Sequence, residues 1–221
     1  MSELFVSYLG PCKENARDMM LLDRKEYISC GLPHKQVNQL VKLGDIDQIN
    51  SKIMTLENAD NHIGVYGIVN RDEKPDKKVP KASLIGYMES NSWDKCNQKP
   101  MIKMFGKIAL KYMIFKNEKN PYVINSLVVD SENTKNQSEA VNIFFEHAIE
   151  NITPDKVIYS VLNQDSPTAD ILTTSYGFQD TGYSGKIDGV NKTLYKRPPY
   201  INVMVRVASF SFMQSQCSVE V

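Results

Sequence analysis

This chain lacks an excess of charge of either sign. Lys plus Arg and Asp plus Glu each number 26 across 221 residues, so no net field draws it onto nucleic acid or an anionic membrane. Any anionic ligand must be held by local groups. The most basic stretch, Arg71 to Lys81, carries Lys74, Lys77, Lys78 and Lys81. Asp72, Glu73 and Asp76 interrupt it and no aromatic residue interleaves, so it reads as a solvated loop. Cysteine is sparse too: Cys12, Cys30, Cys96 and Cys217 form no C-x-x-C pair, which argues against a zinc site or a disulfide framework and fits a reducing compartment. His34, His62 and His147 lack the H-x-E and H-E-x-x-H spacings of metal sites. There is no apolar run of about 18 residues, and Glu3 stands where a signal peptide carries positive charge. The expectation is a cytoplasmic protein with no metal and no nucleic-acid or membrane partner. The G-x-S-x-G elbow, the Walker loop and the G-x-G-x-x-G turn are also absent, which weighs against hydrolases, nucleoside triphosphatases and dehydrogenases.

What remains is ordinary globular usage, 42% hydrophobic and 24% charged, in a length that suits one well-buried domain over 1–221. Residues 12–29 place Ala16, Met19, Met20, Leu22 and Tyr27 at helical spacing, and His34 to Leu56 reads as a second helix. His62 to Val69 and Ala82 to Met88 are strand-like and form a hairpin across the charged loop. Residues 93–119 fit a helix better than a strand pair. Tyr122 to Val129 is rich in β-branched residues and reads as a buried strand. Ser138 to Ile149 has helical spacing with Ser138 as its cap, and Lys156 to Leu162 is another strand. Ser166 and Pro167 open a helix that Gly177 closes.

Strand, helix and strand in that order predict a parallel pair, with an anion-binding end where the loop enters the helix. Phe178 to Tyr183 and Lys192 to Tyr195 follow as a closing hairpin. Tyr200 to Ala208 alternates like one extra C-terminal strand, an edge that offers pairing to a second chain and hence a homodimer. The fold class is α/β, a mixed central sheet flanked by helices, with a core over 62–197 and an extension over 198–221.

Two segments carry a resemblance. Ile124-x-x-Leu127-x-Val129 followed by Lys135-Asn136-Gln137-Ser138-Glu139-Ala140 resembles the strand and Arg/Gln-x-x-Gly-x-Gly/Ala loop of the GNAT superfamily, the acetyl-CoA-dependent N-acetyltransferases. Lys135 stands for Arg or Gln, Ser138 for the first glycine, and Ala140 conforms. Ser166-Pro-Thr-Ala169-Asp-Ile-Leu172-Thr-Thr-Ser-Tyr-Gly177-Phe178 is similar to the family's Asn-x-x-Ala-x-x-Leu-Tyr-x-x-x-Gly-Phe, with Ser166 at the Asn position and Thr173 at the Tyr position.

The resemblance implies acetyl transfer from acetyl-CoA, as co-substrate, to an amine of a small molecule or peptide. The loop 135–140 and Ser166 would hold the coenzyme, and Leu127, Val128 and Val129 would line it, with the amide of Val128 or Val129 polarising the thioester carbonyl. The family's tyrosine protonates the departing thiolate. Thr173 has no comparable acidity, and Tyr176 or Tyr159 would substitute by residue type alone. Glu89, at the end of the second strand, is the carboxylate expected to deprotonate the amine. Because the marker glycines and tyrosine are replaced, the alternative is a non-catalytic acyl-CoA-binding or regulatory protein on the same fold.

Overall fold

The computed structural model describes residues 4–58, 61–68, 82–95, 98–110, 114–115, 118, 121–130, 134–151, 156–164, 166–187 and 189–199. Strand β1 (Leu4–Tyr8) leads into helices α1 (Lys13–Ser29), α2 (His34–Leu40) and α3 (Ile46–Asn58). The hairpin strands β2 (Asn61–Ile68) and β3 (Ala82–Ser92) follow, then the short helices α4 (Lys99–Phe105) and α5 (Lys107–Ala109). Next come β4 (Tyr122–Val129), α6 (Thr134–Asn151), β5 (Ile158–Asn163) and α7 (Pro167–Ser175), and the hairpin β6 (Gln179–Ile187) and β7 (Val190–Arg197). The strands form one seven-stranded mixed sheet in the order β1-β2-β3-β4-β5-β7-β6. Only β4 and β5 run parallel; the other neighbours are antiparallel.

Several expectations are corrected. The edge strand β1 escaped the sequence reading, although Leu4 and Val6 alternate with exposed Phe5 and Ser7. His34 to Leu56 is two helices, because the Asp45 carboxylate accepts from the N–H groups of Asp47 and Gln48 at 3.0 and 3.2 Å and so starts α3 afresh after Gly44. Within 93–119 the described helical turns are short, broken where Gly106 adopts a positive φ of 79°. Helix α6 begins at Thr134, so Ser138 is its fifth residue and not its cap. The cap at Ser166 is as expected, its Oγ accepting from Ala169 N–H at 3.1 Å with Pro167 in the first turn. The strand expected over 200–208, and the homodimer built on it, lie outside the described residues.

Both faces of the sheet are covered. Ala140, Val141, Phe144 and Phe145 of α6 and Ala169 and Leu172 of α7 pack on Ile63, Val65, Ile85, Met88, Ile124, Leu127 and Val129. Met19 and Leu22 of α1 and Leu56 of α3 cover Leu84, Tyr87 and Val128 on the other face. Beside them Met101, Leu110 and Phe115 cover Val123, Tyr159 and Leu194.

Gly86 lets α6 sit close. A Cβ built there would lie 3.0 Å from both the Phe144 ring and the Val128 carbonyl oxygen, and the latter belongs to the neighbouring strand and cannot yield. Gly86→Val should therefore lower stability by about 1–3 kcal/mol, the usual cost of overpacking, read as a lower urea midpoint at unchanged slope. An unchanged midpoint would contradict this packing.

Candidate active site

The site begins with one extra residue. Across β3 and β4, Glu89 pairs with Ser126 and Ser90 with Ile124, so Asn125 has no partner and forms a β-bulge. A bulge bends its strand and resets its alternation. Tyr122 and Ile124 face α6 before it, and Leu127 and Val129 face α6 after it, so the parity has shifted by one. Asn125 and Ser126 consequently point to the same side, the one covered by α1.

Pairing between β4 and β5 stops at the same place. Tyr122, Val123 and Ile124 match Ile158, Tyr159 and Ser160, and beyond them the two strands part. Before the bulge the Tyr122 N–H donates to Val157 on the β5 side at 2.9 Å. After it the Asp130 N–H donates to Ile85 on the β3 side at 2.8 Å. Since successive N–H groups alternate along a strand, those of Leu127 and Val129 point away from β3 and into the gap. Val128 donates the other way.

Helix α1 spans the gap through polar groups on the face it turns to the sheet. Lys25 Nζ lies 2.8 Å from Asp130 Oδ2 at the end of β4, and Asn163 Nδ2 at the end of β5 donates to Glu26 Oε1 at 2.5 Å. Asp23 accepts from the Tyr87 hydroxyl on β3 and pairs with Lys52 of α3 at 2.9 Å. The same lysine donates to the Tyr87 oxygen at 3.2 Å.

Three adjoining cavities follow the parted strands. The largest, about 630 Å³, lies between Leu127 and Val129 of β4, Asn163, Ser166 and Thr168 beyond β5, and the α1 end at Glu26 and Cys30. One of about 430 Å³ lies under α1 and α3, lined by Asp23, Lys52, Glu89, Asn125, Ser126 and Lys192 among others. A smaller one of about 160 Å³ joins them, sharing Glu26 and Leu127 with the first and Asp23, Asn125 and Lys192 with the second. The geometry thus offers a long groove and a side chamber that meet beside β4.

Glu89 lines the side chamber, buried at 6% exposure within β3 rather than at a strand end, because β3 runs on to Ser92. Asn125 Nδ2 donates to its Oε1 at 3.2 Å. Leu127, Val129 and Ser166 line the groove, and Val128 lines the junction. Lys135, Asn136 and Gln137 fall in the first turn of α6, where the N–H groups of Lys135 and Asn136 lack intrahelical partners. Ser138 and Glu139 are exposed in the next turn and Ala140 is buried in the core, so these three do not form a phosphate loop.

Thr173 donates to its own helix at Asp170 O, 3.0 Å away. Tyr176 donates to Asn142 at 2.5 Å and stacks on Phe145. Neither lines a cavity along the gap. Tyr159 is 1% exposed and donates to Ile114 O at 3.1 Å. Among the described residues no group of three His, Cys, Asp or Glu is gathered as a metal site, and no helix is long and apolar enough to cross a membrane.

The sequence reading missed Glu26, Asp23, Lys52 and Lys192. Glu26 is half-buried with its carboxylate between two cavities. Burial pushes its pKa up to about 7, against the pull of Lys192, with Asp23 adding to the rise. Glu89 is raised by burial as well, opposed first by Lys52 and then by the Asn125 hydrogen bond. A carboxyl raised in the folded state favours folding below its unfolded pKa and loses that advantage as pH rises through its folded value. Glu26→Gln should therefore stabilise the protein at pH 8 relative to the parent, with the gain fading toward pH 4.5. The full shift implies about 3 kcal/mol, and contact with cavity solvent should reduce it to about 1–2 kcal/mol. Thermal melts across this range would refute the assignment if the two proteins differ equally at both ends.

This chain matches no protein-family model and no curated protein. Solved structures do resemble it. A GNAT-family acetyltransferase of Streptococcus agalactiae 2603 aligns at a TM-score of 0.52 and 16% identity, over 88% of this chain and 95% of its own. A histone acetyltransferase HPA2 and related acetyltransferase of Corynebacterium glutamicum ATCC 13032 gives 0.52 and 15%, over 90% and 97%. An N-acetyltransferase of Staphylococcus aureus Mu50 gives 0.50 and 14%, over 89% and 99%. At such identities the likeness is one of fold, and the fold of this chain is that of the GNAT acetyltransferases.

Proposed function

We propose that this chain transfers an acetyl group from acetyl-coenzyme A to the amine of a small molecule. The observation that carries the reading is the parting of β4 from β5, which turns the Leu127 and Val129 N–H groups into a groove that opens on a carboxylate-lined chamber. The pantetheine arm would lie in the groove with its thioester carbonyl accepting from Val129 N–H. Preorganised donors of this kind stabilise the negative charge that grows on a carbonyl oxygen under attack.

The amine would enter from the side chamber. Glu89 takes one proton from the ammonium directly or through a water, the freed lone pair attacks the carbonyl carbon, and as the C–N bond forms and the C–S bond breaks the nitrogen gives its second proton to solvent. Glu26, half protonated near neutrality and lining both groove and junction, supplies the proton that the departing thiolate takes up. Thr173 and Tyr176 have no part in this route. The pyrophosphate would rest on the first turn of α6, where unpaired N–H groups and the helix dipole favour an anion.

Glu89→Gln should lower turnover by about 10²–10⁴ at neutral pH and spare acetyl-CoA affinity. In the parent, turnover should rise with pH through a midpoint above the ordinary glutamate range as Glu89 ionises, and fall again through about 7 as Glu26 loses the proton it supplies. Equal turnover in mutant and parent would remove Glu89 from the route.

Proline at Ser138 would break the second turn of α6, so the pyrophosphate contact is tested one turn earlier. Thr134→Pro occupies the first helical position, which tolerates proline, and deletes one unpaired N–H. A hydrogen bond to a charged group contributes about 1.5–3 kcal/mol, so calorimetry should show acetyl-CoA binding about ten- to a hundred-fold weaker with helicity intact. Equal binding would place the coenzyme elsewhere. A parent that binds acetyl-CoA and acetylates no amine would be a binding protein and not an enzyme.

A further inference from the structure

The side chamber carries unmatched charge of both signs. Asp23 is paired there with Lys52 and accepts a hydrogen bond from the Tyr87 hydroxyl. Glu89 is not: it accepts from Asn125 and makes no ion pair among the described residues. Lys192, on β7, lines both the chamber and its junction with the groove and likewise has no ion-pair partner among the described residues. Glu26 feels its field but is hydrogen-bonded to Asn163 instead. An ammonium that faces a cavity, with its nearest carboxylate hydrogen-bonded elsewhere, is placed to receive an anionic group from a ligand.

The remaining wall is divided between a polar side, with Gln48, Ser51 and Thr55 of α3, and an apolar side. Leu40, Val41, Met101 and Ile187 line it, with the Tyr27 ring, in a volume of about 430 Å³. Lys192 opposes a polyamine, whose further ammonium groups would meet it, while Lys52 is already paired with Asp23. No arginine lines the chamber among the described residues, and its acids oppose a phosphate dianion, which calls for more positive charge than one lysine.

We propose that the acceptor is a small amine bearing a carboxylate and an apolar body, of the apolar amino-acid class, with its ammonium toward Glu89 and its carboxylate on Lys192. This rests on the acetyl-transfer reading and names the substrate of that site.

The test uses the full chain with saturating acetyl-CoA and measures thiol release with L-leucine, L-phenylalanine, 3-methylbutylamine, spermidine and phosphoethanolamine. 3-Methylbutylamine is leucine without its carboxylate. The expected result is a kcat/KM for leucine or phenylalanine about ten- to a hundred-fold above that for 3-methylbutylamine, the effect of one charge-assisted contact, with spermidine and phosphoethanolamine poor. Lys192→Ala should collapse that preference, chiefly through KM, and Lys192→Arg should restore most of it. Equal rates for leucine and 3-methylbutylamine, a best rate with spermidine or phosphoethanolamine, or a preference unchanged in Lys192→Ala would each overturn the assignment. If no amine releases thiol, the acetyl-transfer reading fails, and calorimetry of leucine against 3-methylbutylamine on the acetyl-CoA-loaded protein still decides the chamber. Tighter binding of leucine that disappears in Lys192→Ala supports the assignment, and equal or absent binding overturns it.

Discussion

A single unpaired residue in β4 governs the arrangement of the rest. With Asn125 opposite nothing on β3, the strand bends and its alternation shifts, and pairing with β5 ends at the preceding residue. Three consequences share that cause. The strands part and leave a groove; the Leu127 and Val129 N–H groups face it; and Asn125 and Ser126 project together into the chamber under α1. A regular strand would have kept β4 and β5 paired, sent Asn125 and Ser126 to opposite faces, and closed the groove between the two strands.

Helix α1 bears the electrostatic cost of that opening. Its Asp23, Lys25 and Glu26 reach β3, the end of β4 and the end of β5 in turn, so one turn of the helix holds three strands by polar contacts. Such contacts add little net stability, because desolvating charge offsets most of the attraction. Apolar residues there would serve stability better. What the charges supply is a carboxyl near neutrality, a buried carboxylate and an unmatched cation within one connected space, where water is partly excluded and electrostatic effects are stronger than in bulk. The apolar layer of α6 and α7 on the opposite face supplies the rigidity, with Phe144 seated on Gly86 and Phe145 stacked on Tyr176.

Neither the residue at the family's tyrosine position nor the tyrosine nearest to it, at the end of α7, faces the groove. Thr173 occupies that position, turned back on its own helix, and Tyr176 is held by Asn142 and Phe145. The acetyl-transfer reading therefore draws its proton from Glu26 of α1, a helix for which the sequence resemblance offered only an order of elements.

How much of this was legible depends on whether the signal was local. The run Tyr122 to Val129 announced a buried strand through β-branched side chains, and Ser166-Pro167 with Gly177 announced a bounded helix through capping chemistry, because both properties act over a few residues. The strand-helix-strand order fixed the parallel pair for a similar reason, the length that a crossover requires. Glu89 could be named as a carboxylate on the right strand, but not as a buried one, since its burial comes from α1 and α3, dozens of residues away. The start of α6 was misplaced by a turn because Ser138 has the right chemistry for a cap and nothing local forbids an earlier start. Glu26, Asp23, Lys52 and Lys192 read as solvated charges on polar helix faces and a strand. Folding alone gathers them, because only the tertiary structure decides which face of α1 meets the sheet and where a bulge lets that sheet open.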